Sequence, residues 1–271
     1  MSYRFFFGHN LKNQELYMVL PDNYYVNGIY CGNINVPYET IERLDITNIF
    51  DDNSNFKIFS LNNLGLFLFN GKYVATIKVP DNAVVYNADD HYKTNKIVIG
   101  NIKNIEDFLL SEKDLFKYIG INLDDLWCGC CKYGFGRIVR TFVEKNIFNQ
   151  QKLKLLKQNV FADVCEHGNY DMMLYLYDLG EIDIHFNNEQ AFCVSSENGH
   201  FNVVDWLINI GILDHHAKND YAFKKACING YRDVAERIYN LGGFNMETII
   251  QKISHLCNQD IRNWLISLQN N

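Results

Sequence analysis

A glycine returns at a fixed interval in the second half of the chain: Gly168, Gly199 and Gly230 stand 31 residues apart. Twelve residues after each comes a second glycine (Gly180, Gly211, Gly242), and seven residues before each comes Phe161, Phe192 or Phe223. An apolar stretch of helical period separates the two glycines of each pair. Three registers locked to one interval predict a stacked repeat, because a unit this short cannot bury its apolar face alone and must share it with its neighbours. An array of short helix pairs offers an extended surface rather than an enclosed active site.

Aligned on the first glycine, the leading helices read NVFADVCEHG (159–168), QAFCVSSENG (190–199) and YAFKKACING (221–230). The trailing helices read NYDMMLYLYDLG, HFNVVDWLINIG and YRDVAERIYNLG. A divergent copy precedes them at 125–134, DLWCGCCKYG, with 34 residues to the next glycine. Its second helix ends at Asn146, and asparagine is the usual substitute where a helix terminus needs left-handed backbone. A fifth, incomplete copy closes the chain: Ile261, Trp264 and Leu265 align with Val203, Trp206 and Leu207. It lacks both glycines, as a terminal cap does.

The first hundred residues read differently. Leu66–Phe69 and Lys72–Val79 flank Asn70-Gly71, a hairpin signal, because a type I′ turn needs positive φ at both central positions. Tyr3–Phe7, Glu15–Leu20, Ala83–Tyr86 and Lys96–Ile99 read as further strands, and Tyr38–Leu44 as the start of a short helix. From Asn104 to Gly120 the period switches to helical, with Asn104 placed to cap and Gly120 just past the end. The expected fold is therefore α+β: a small β-rich N-terminal domain over 1–100, a joining helix over 101–124 that covers the first repeat, and an all-α array of helix pairs over 125–271.

Composition supports a folded chain and narrows its partners. Of 271 residues, 48% are hydrophobic and only 3 are proline, which excludes wholesale disorder. A formal charge of −7 lacks the basic stripe that a nucleic-acid footprint needs. The start, MSYRFFFGHN, has no apolar core of a signal peptide, and no run approaches about 20 apolar residues, so neither export nor a membrane partner is expected. An intracellular location with 8 reduced cysteines follows as the expectation.

The repeats resemble the ankyrin family. The third copy carries Asn198-Gly199-His200, then Val203-Val204, Leu207 and Gly211, in the family's order. The Thr-Pro-Leu-His tetrapeptide is replaced by Gln190, Ala191, Phe192 and Cys193, and the interval is 31 rather than the usual 33. Both departures bear on the β-hairpin finger and leave the helix pairs intact. Ala226-Cys227-Ile228-Asn229-Gly230 is similar to a variant found in ankyrin proteins of giant DNA viruses of amoebae (mimivirus-like), in which arrays follow a β-rich domain. Ala75–Ile99 is also similar to that domain, for which no activity carries over.

The resemblance implies recognition of a host or viral protein through the connections and the outer side of the leading helices. On this chain those positions are Ile184, His185, Phe186, Asn187 and Asn188, then Asp214, His215, His216 and Lys218. Cys193, Ser195, Lys224 and Lys225 are the candidates on the leading helices.

No constellation in the sequence demands catalysis or a cofactor. Cys128-Gly129-Cys130-Cys131 has zinc-like spacing, yet Cys130 and Cys131 fall where Ser195-Ser196 and Ala226-Cys227 stand, positions that need small side chains, so buried thiols are expected rather than a metal site. Cys165 and Cys227 share one column with Ser196, a packing pattern rather than a nucleophile signature. His215-His216 read as a solvated tip or contact pair, and His200 as a local hydrogen-bonding residue. Asp89-Asp90-His91 reads as a polar loop, and Asp51-Asp52 and Asp124-Asp125 as turn or capping residues. There is no Walker loop, GxGxxG or HExxH. Tyr170, Tyr175, Tyr177, Trp206, Tyr231 and Tyr239 recur on the trailing helices as contacts between repeats or as exposed anchors. Three function classes stay open: an interaction module, an adaptor to ubiquitin-ligase machinery, and an enzyme within the N-terminal domain.

Overall fold

A computed structural model describes residues 5–7, 11, 14–21, 23, 25–26, 29–31, 33, 35, 37–39, 56–65, 67–111, 120–211 and 213–269. The chain is α+β and divides into two compact units, Met1–Gly129 and Cys130–Asn271.

Among the described residues, eight strands of the first unit form one antiparallel sheet: β1 (Phe5–Phe7), β2 (Leu16–Leu20), β5 (Pro37–Glu39), β6 (Phe56–Ser60), β7 (Tyr73–Lys78), β8 (Val84–Asn87), β9 (Tyr92–Thr94) and β10 (Lys96–Asn104). Their order is β1-β8-β9-β6-β2-β7-β10-β5, while β3 (Tyr25–Val26) and β4 (Ile29–Tyr30) pair separately. Only Asn95 separates β9 from β10 in sequence, although three strands lie between them in the sheet. Strands are spaced by about 4.8 Å, so a flat sheet would hold these two about 19 Å apart. Two residues span at most about 7 Å. The sheet therefore folds over itself, and side chains from its two halves (Met18, Leu20, Phe56, Ile58, Val85, Ile99) meet in one core. The corner is pinned by buried Thr94, whose Oγ1 donates to Val84 O at 3.0 Å, and by Val84 N donating to Asn95 Oδ1 at 3.0 Å.

Strands β2, β8 and β10 lie where the sequence predicts them, and Phe5–Phe7 match the described part of the first expected strand, whose Tyr3 and Arg4 lie outside the described residues. The hairpin at Asn70-Gly71 does not form. Leu68–Asn70 make a single 3-10 turn, Gly71 is extended at φ −164°, and β7 pairs with β2 and β10 instead. Close approach is what requires glycine here: a Cβ on Gly71 would stand 2.3 Å from the carbonyl oxygen of Leu20. The neighbouring Lys72 N–H donates to that same oxygen at 3.0 Å.

The expected helix at Tyr38–Leu44 is also corrected, since Tyr38 pairs with Ile97 as part of β5; residues 40–44 lie outside the described set, as do Asp51, Asp52 and Leu66. A helical turn, α1 (Leu61–Leu64), follows β6. Helix α2 (Ile105–Leu110) is shorter than the 104–120 reading, closing at Ser111, with 112–119 outside the described residues. Its cap is as expected, Asn104 Oδ1 accepting Glu106 N–H at 2.8 Å, and it packs on β7 and β10 of its own unit through Ile105, Phe108 and Leu109.

Helix α3 (Leu123–Lys132) crosses the boundary between the units. Asn122 caps it, its Oδ1 accepting the Asp125 N–H at 2.8 Å while its Nδ2 donates to the Asp125 carboxylate, so the cap is Asn122, and the two aspartates expected to turn or cap stand in the first turn of the helix. Then come α4 (Gly136–Glu144), α5 (Gln150–Glu166), α6 (Tyr170–Asp178), α7 (Phe186–Glu197), α8 (Phe201–Ile210), α9 (Ala217–Asn229), α10 (Arg232–Tyr239), α11 (Met246–Ile253) and α12 (Gln259–Gln269). Leading helices pack on leading helices, α5 on α7, α7 on α9 and α9 on α11, and each packs on its trailing partner. Phe161, Phe192 and Phe223 are buried one per repeat, and Cys130, Cys131, Cys165, Ser195, Ser196, Ala226 and Cys227 fill the close-packed small-residue columns.

The recurring glycine has a double requirement. Gly134, Gly168, Gly199 and Gly230 hold φ of 77°, 67°, 75° and 86°, a conformation that a Cβ disfavours. Each also lies under a side chain of the following repeat: Asn169, His200, Tyr231 and Asn258 in turn. A Cβ at Gly168 would fall 2.4 Å from His200 Nδ1. His200 meanwhile donates from Nε2 to Glu166 O at 2.8 Å, so its hydrogen bond is not the local one expected but reaches across the repeat boundary. Asn146 is left-handed at φ 49°, as its place in the alignment predicts, whereas Gly211 is extended. The outward side of α11 is polar (Glu247, Thr248, Gln251, Lys252), and Ile261 and Leu265 of α12 are buried, so the last pair caps the stack.

Candidate functional site

The connections between trailing and leading helices carry no strand among the described residues. They form two turns of identical construction, 31 residues apart, which take in the first residues of α7 and α9, so that the right-handed part of each helix begins only after Glu189 and Asp220. In the first, Asn187, Asn188 and Glu189 are all left-handed at φ 54°, 57° and 58°; in the second, Lys218, Asn219 and Asp220 are left-handed at φ 52°, 60° and 57°. Left-handed backbone is unfavourable for residues with a Cβ, with Asn the most tolerant, so three in succession need support.

The support is the same in both copies. Asp183 Oδ1 accepts His185 N–H at 3.0 Å, and Asp214 Oδ1 accepts His216 N–H at 3.0 Å. Across each left-handed triplet an imidazole meets a carboxylate, His185 Nδ1 to Glu189 Oε1 at 2.7 Å and His216 Nδ1 to Asp220 Oδ1 at 2.7 Å. The backbone closes the turn beneath them, Glu189 N–H donating to His185 O and Asp220 N–H to His216 O. Asp-x-His-x-x-Asn followed by an acid, at 183–189 and 214–220, is a signal that aligning the connections reveals and aligning the helices alone does not.

Phe186 is 48% exposed, and His185, Asn187, Asn188 and Lys218 are exposed beside it or on the next turn. His216 is clasped to Asp220, and the His215 ring lies against it, tilted by 42° with 4.1 Å between ring centres, while its Nε2 donates to Gly242 O at 3.0 Å. Cys193 and Ser195 require correction: at 1% and 0% exposure they present nothing to a partner. The reason is that α7 has α5, α8 and α9 packed around it, so its buried face is broader than one stripe. Burial pushes the Cys193 thiol up to about 11 and raises those of Cys165 and Cys227 as well.

Lys224 and Lys225 are largely engaged within the chain. Lys224 Nζ donates to Asn219 O at 2.6 Å and lies 3.7 Å from Asp220. Lys225 Nζ donates to Glu197 Oε1 at 2.7 Å, and Tyr221 OH donates to the other oxygen of the same carboxylate. Those two hydrogen bonds, Lys225 first, hold the Glu197 carboxyl below its ordinary range. Lys157, one repeat before Asn188, is buried and caps α6 by donating to Leu179 O and Gly180 O at 3.1 and 2.7 Å; burial lowers its pKa.

The aromatic residues of the trailing helices also join repeats: Tyr177 meets Trp206 edge-on at 4.9 Å, and Arg140 stacks on Tyr175 at 4.2 Å. That stack borders an open groove of about 580 Å³ with Asn169 and Asn202. In the first unit, His91 Nδ1 lies 2.6 Å from Asp90 Oδ1, with the ring against Phe59 and Phe67 and its Nε2 buried. A base needs a nitrogen that a substrate can reach, which this one does not offer. Among the described residues no group of three or more His, Cys, Asp or Glu side chains converges as a metal site, and no helix is long and apolar enough to cross a membrane.

No protein-family model, no curated protein and no solved structure matches this chain.

Proposed function

We propose that the helical unit is an ankyrin-type array whose work is to bind another protein, host or viral, through its successive tips. One observation carries this reading: two turns of the same unusual backbone, one repeat apart, are each held by a His–carboxylate clasp and hold Phe186, Asn187 and Asn188, then Lys218 and Asn219, at the surface. A surface ordered before contact loses little freedom on binding, so its contacts are retained as affinity. Phe186 supplies an exposed aromatic anchor, and a few such residues dominate the energy of an interface.

The test is affinity capture with the full chain and with a Phe186→Asp/Lys218→Glu double variant. Both positions are exposed and lie outside the clasps. A protein retained by the wild type and lost by the variant, with an unchanged melting temperature, supports recognition at the tips. Equal capture by the variant, or by residues 1–129 alone, would overturn it.

A further inference from the structure

The two tips are joined by one uninterrupted series of polar contacts. Gln158 Oε1 accepts Asp183 N–H at 2.8 Å, and Gln158 Nε2 donates to Asp183 O at 3.1 Å. Asp183 holds His185, and His185 meets Glu189. The same Glu189 Oε1 then accepts the N–H of Asp214 at 3.3 Å, in the following repeat. Asp214 holds His216, and His216 meets Asp220. Three successive leading helices, α5, α7 and α9, are thus linked at one edge.

Glu189 is the member common to both turns. It is 4% exposed, and its second oxygen has no hydrogen-bond partner. All of its polar stabilisation passes through Oε1, to the imidazole on one side and the next repeat's backbone on the other. We propose that Glu189 is a mechanical coupler that makes the two left-handed turns open and close together. If residues 187–189 leave the left-handed region, the carboxylate departs with them and the Asp214 N–H loses its acceptor. Asp214 is the residue that supports the second turn, so that turn loosens too. Opening of the second turn acts in reverse, leaving a buried carboxylate with one contact fewer, an arrangement that burial makes costly.

The chain contains its own comparison. Gln158 stands 31 residues before Glu189 and supports Asp183 as Glu189 supports Asp214. Yet α5 is continuous through Gln158, with Lys154 at the place of His185, so no left-handed turn or clasp is there to be coupled. The neutral amide at 158 also indicates that an amide at 189 can still accept the Asp214 N–H. The coupling belongs to the free chain and does not depend on whether a partner seats at the tips.

Native-state hydrogen exchange on the full chain tests this. The reporters are the amides of Phe186, Glu189, Ala217 and Asp220, which close the two turns. In the wild type the four are expected to share one opening, with the same dependence on sub-denaturing urea; two distinct slopes would overturn the proposal without any variant. His216→Ala is expected to speed exchange at Asp220 and Glu189 together by about tenfold, leaving the amides of α5 and α10 unchanged. In a Glu189→Leu background the same substitution should reach Asp220 only, whereas Glu189→Gln should restore the spread to both turns. A His216→Ala effect confined to its own turn in the wild type, or one spread evenly through the helical unit, would overturn the coupling.

Discussion

In the sheet-forming unit, apart from the consecutive pair β8 and β9, neighbours in the large sheet are far apart in sequence: β1 pairs with β8, β2 with both β6 and β7, and β5 with β10. In the helical unit each helix packs on the next helix or the next but one. The same residue type consequently serves two purposes. Gly71 lets one strand's carbonyl come close to another's backbone, a requirement set by a residue more than fifty positions away. Gly168 makes a left-handed helix end and leaves room for the ring of His200, one repeat onward. A repeat places the reason for each residue within one interval of it, whereas a sheet of mixed order places it wherever the register falls.

The largest effect that would sharpen this contrast is expected from Gly168→Val. Strain in the left-handed region and collision with His200 should together cost about 3 kcal/mol. That lowers the melting of the helical unit by about 10 °C in a thermal scan. An unchanged transition would mean that His200 is not seated on the glycine. Gly71→Ala should cost about 2 kcal/mol through collision with the Leu20 carbonyl, read in the transition of the sheet unit. If both substitutions moved one common transition equally, the division into two units would be the part to abandon.

Gly180→Ala is the milder control. Its φ is 79° but nothing lies within 4 Å of the added Cβ, so only the backbone penalty of about 1 kcal/mol remains. A cost as large as that at Gly168 would show that strain alone, and not the neighbouring repeat, demands the recurring glycine.

The smallest effect is pH-dependent. The Glu197 carboxyl is held below its ordinary value of 4.5, chiefly by Lys225, so the pair's contribution is complete above that value and is lost as pH falls through the lower, folded one. Lys225→Met should therefore cost up to about 1 kcal/mol at neutral pH, since the pair is partly exposed. The gap from the wild type should narrow as pH falls below 4.5 and close once the folded carboxyl is protonated. A gap that persists in acid would assign the loss to packing of the lysine stem on Tyr221 rather than to charge.

The sequence by itself determined the interval of the helical unit, its helix pairs and its buried phenylalanines, because helical packing is local and a repeat must satisfy the same contacts each time. It also marked Asn104 as a cap, Asn146 as a left-handed terminus and the positions of β2, β8 and β10, since alternation and capping are properties of a few consecutive residues. Tertiary structure alone decided which strands pair: Asn70-Gly71 has the chemistry of a hairpin, but the edge of β2 at Leu20 takes the hydrogen bond that a turn would have used. It likewise decided that Cys193 and Ser195 are interior, because three helices surround α7 where the sequence read one buried face. The tips lie between these cases. Their Asp-x-His-x-x-Asn-acid pattern stands in the sequence twice, but its meaning depends on a left-handed backbone held by a clasp and on a carboxylate, Glu189, shared across a repeat boundary.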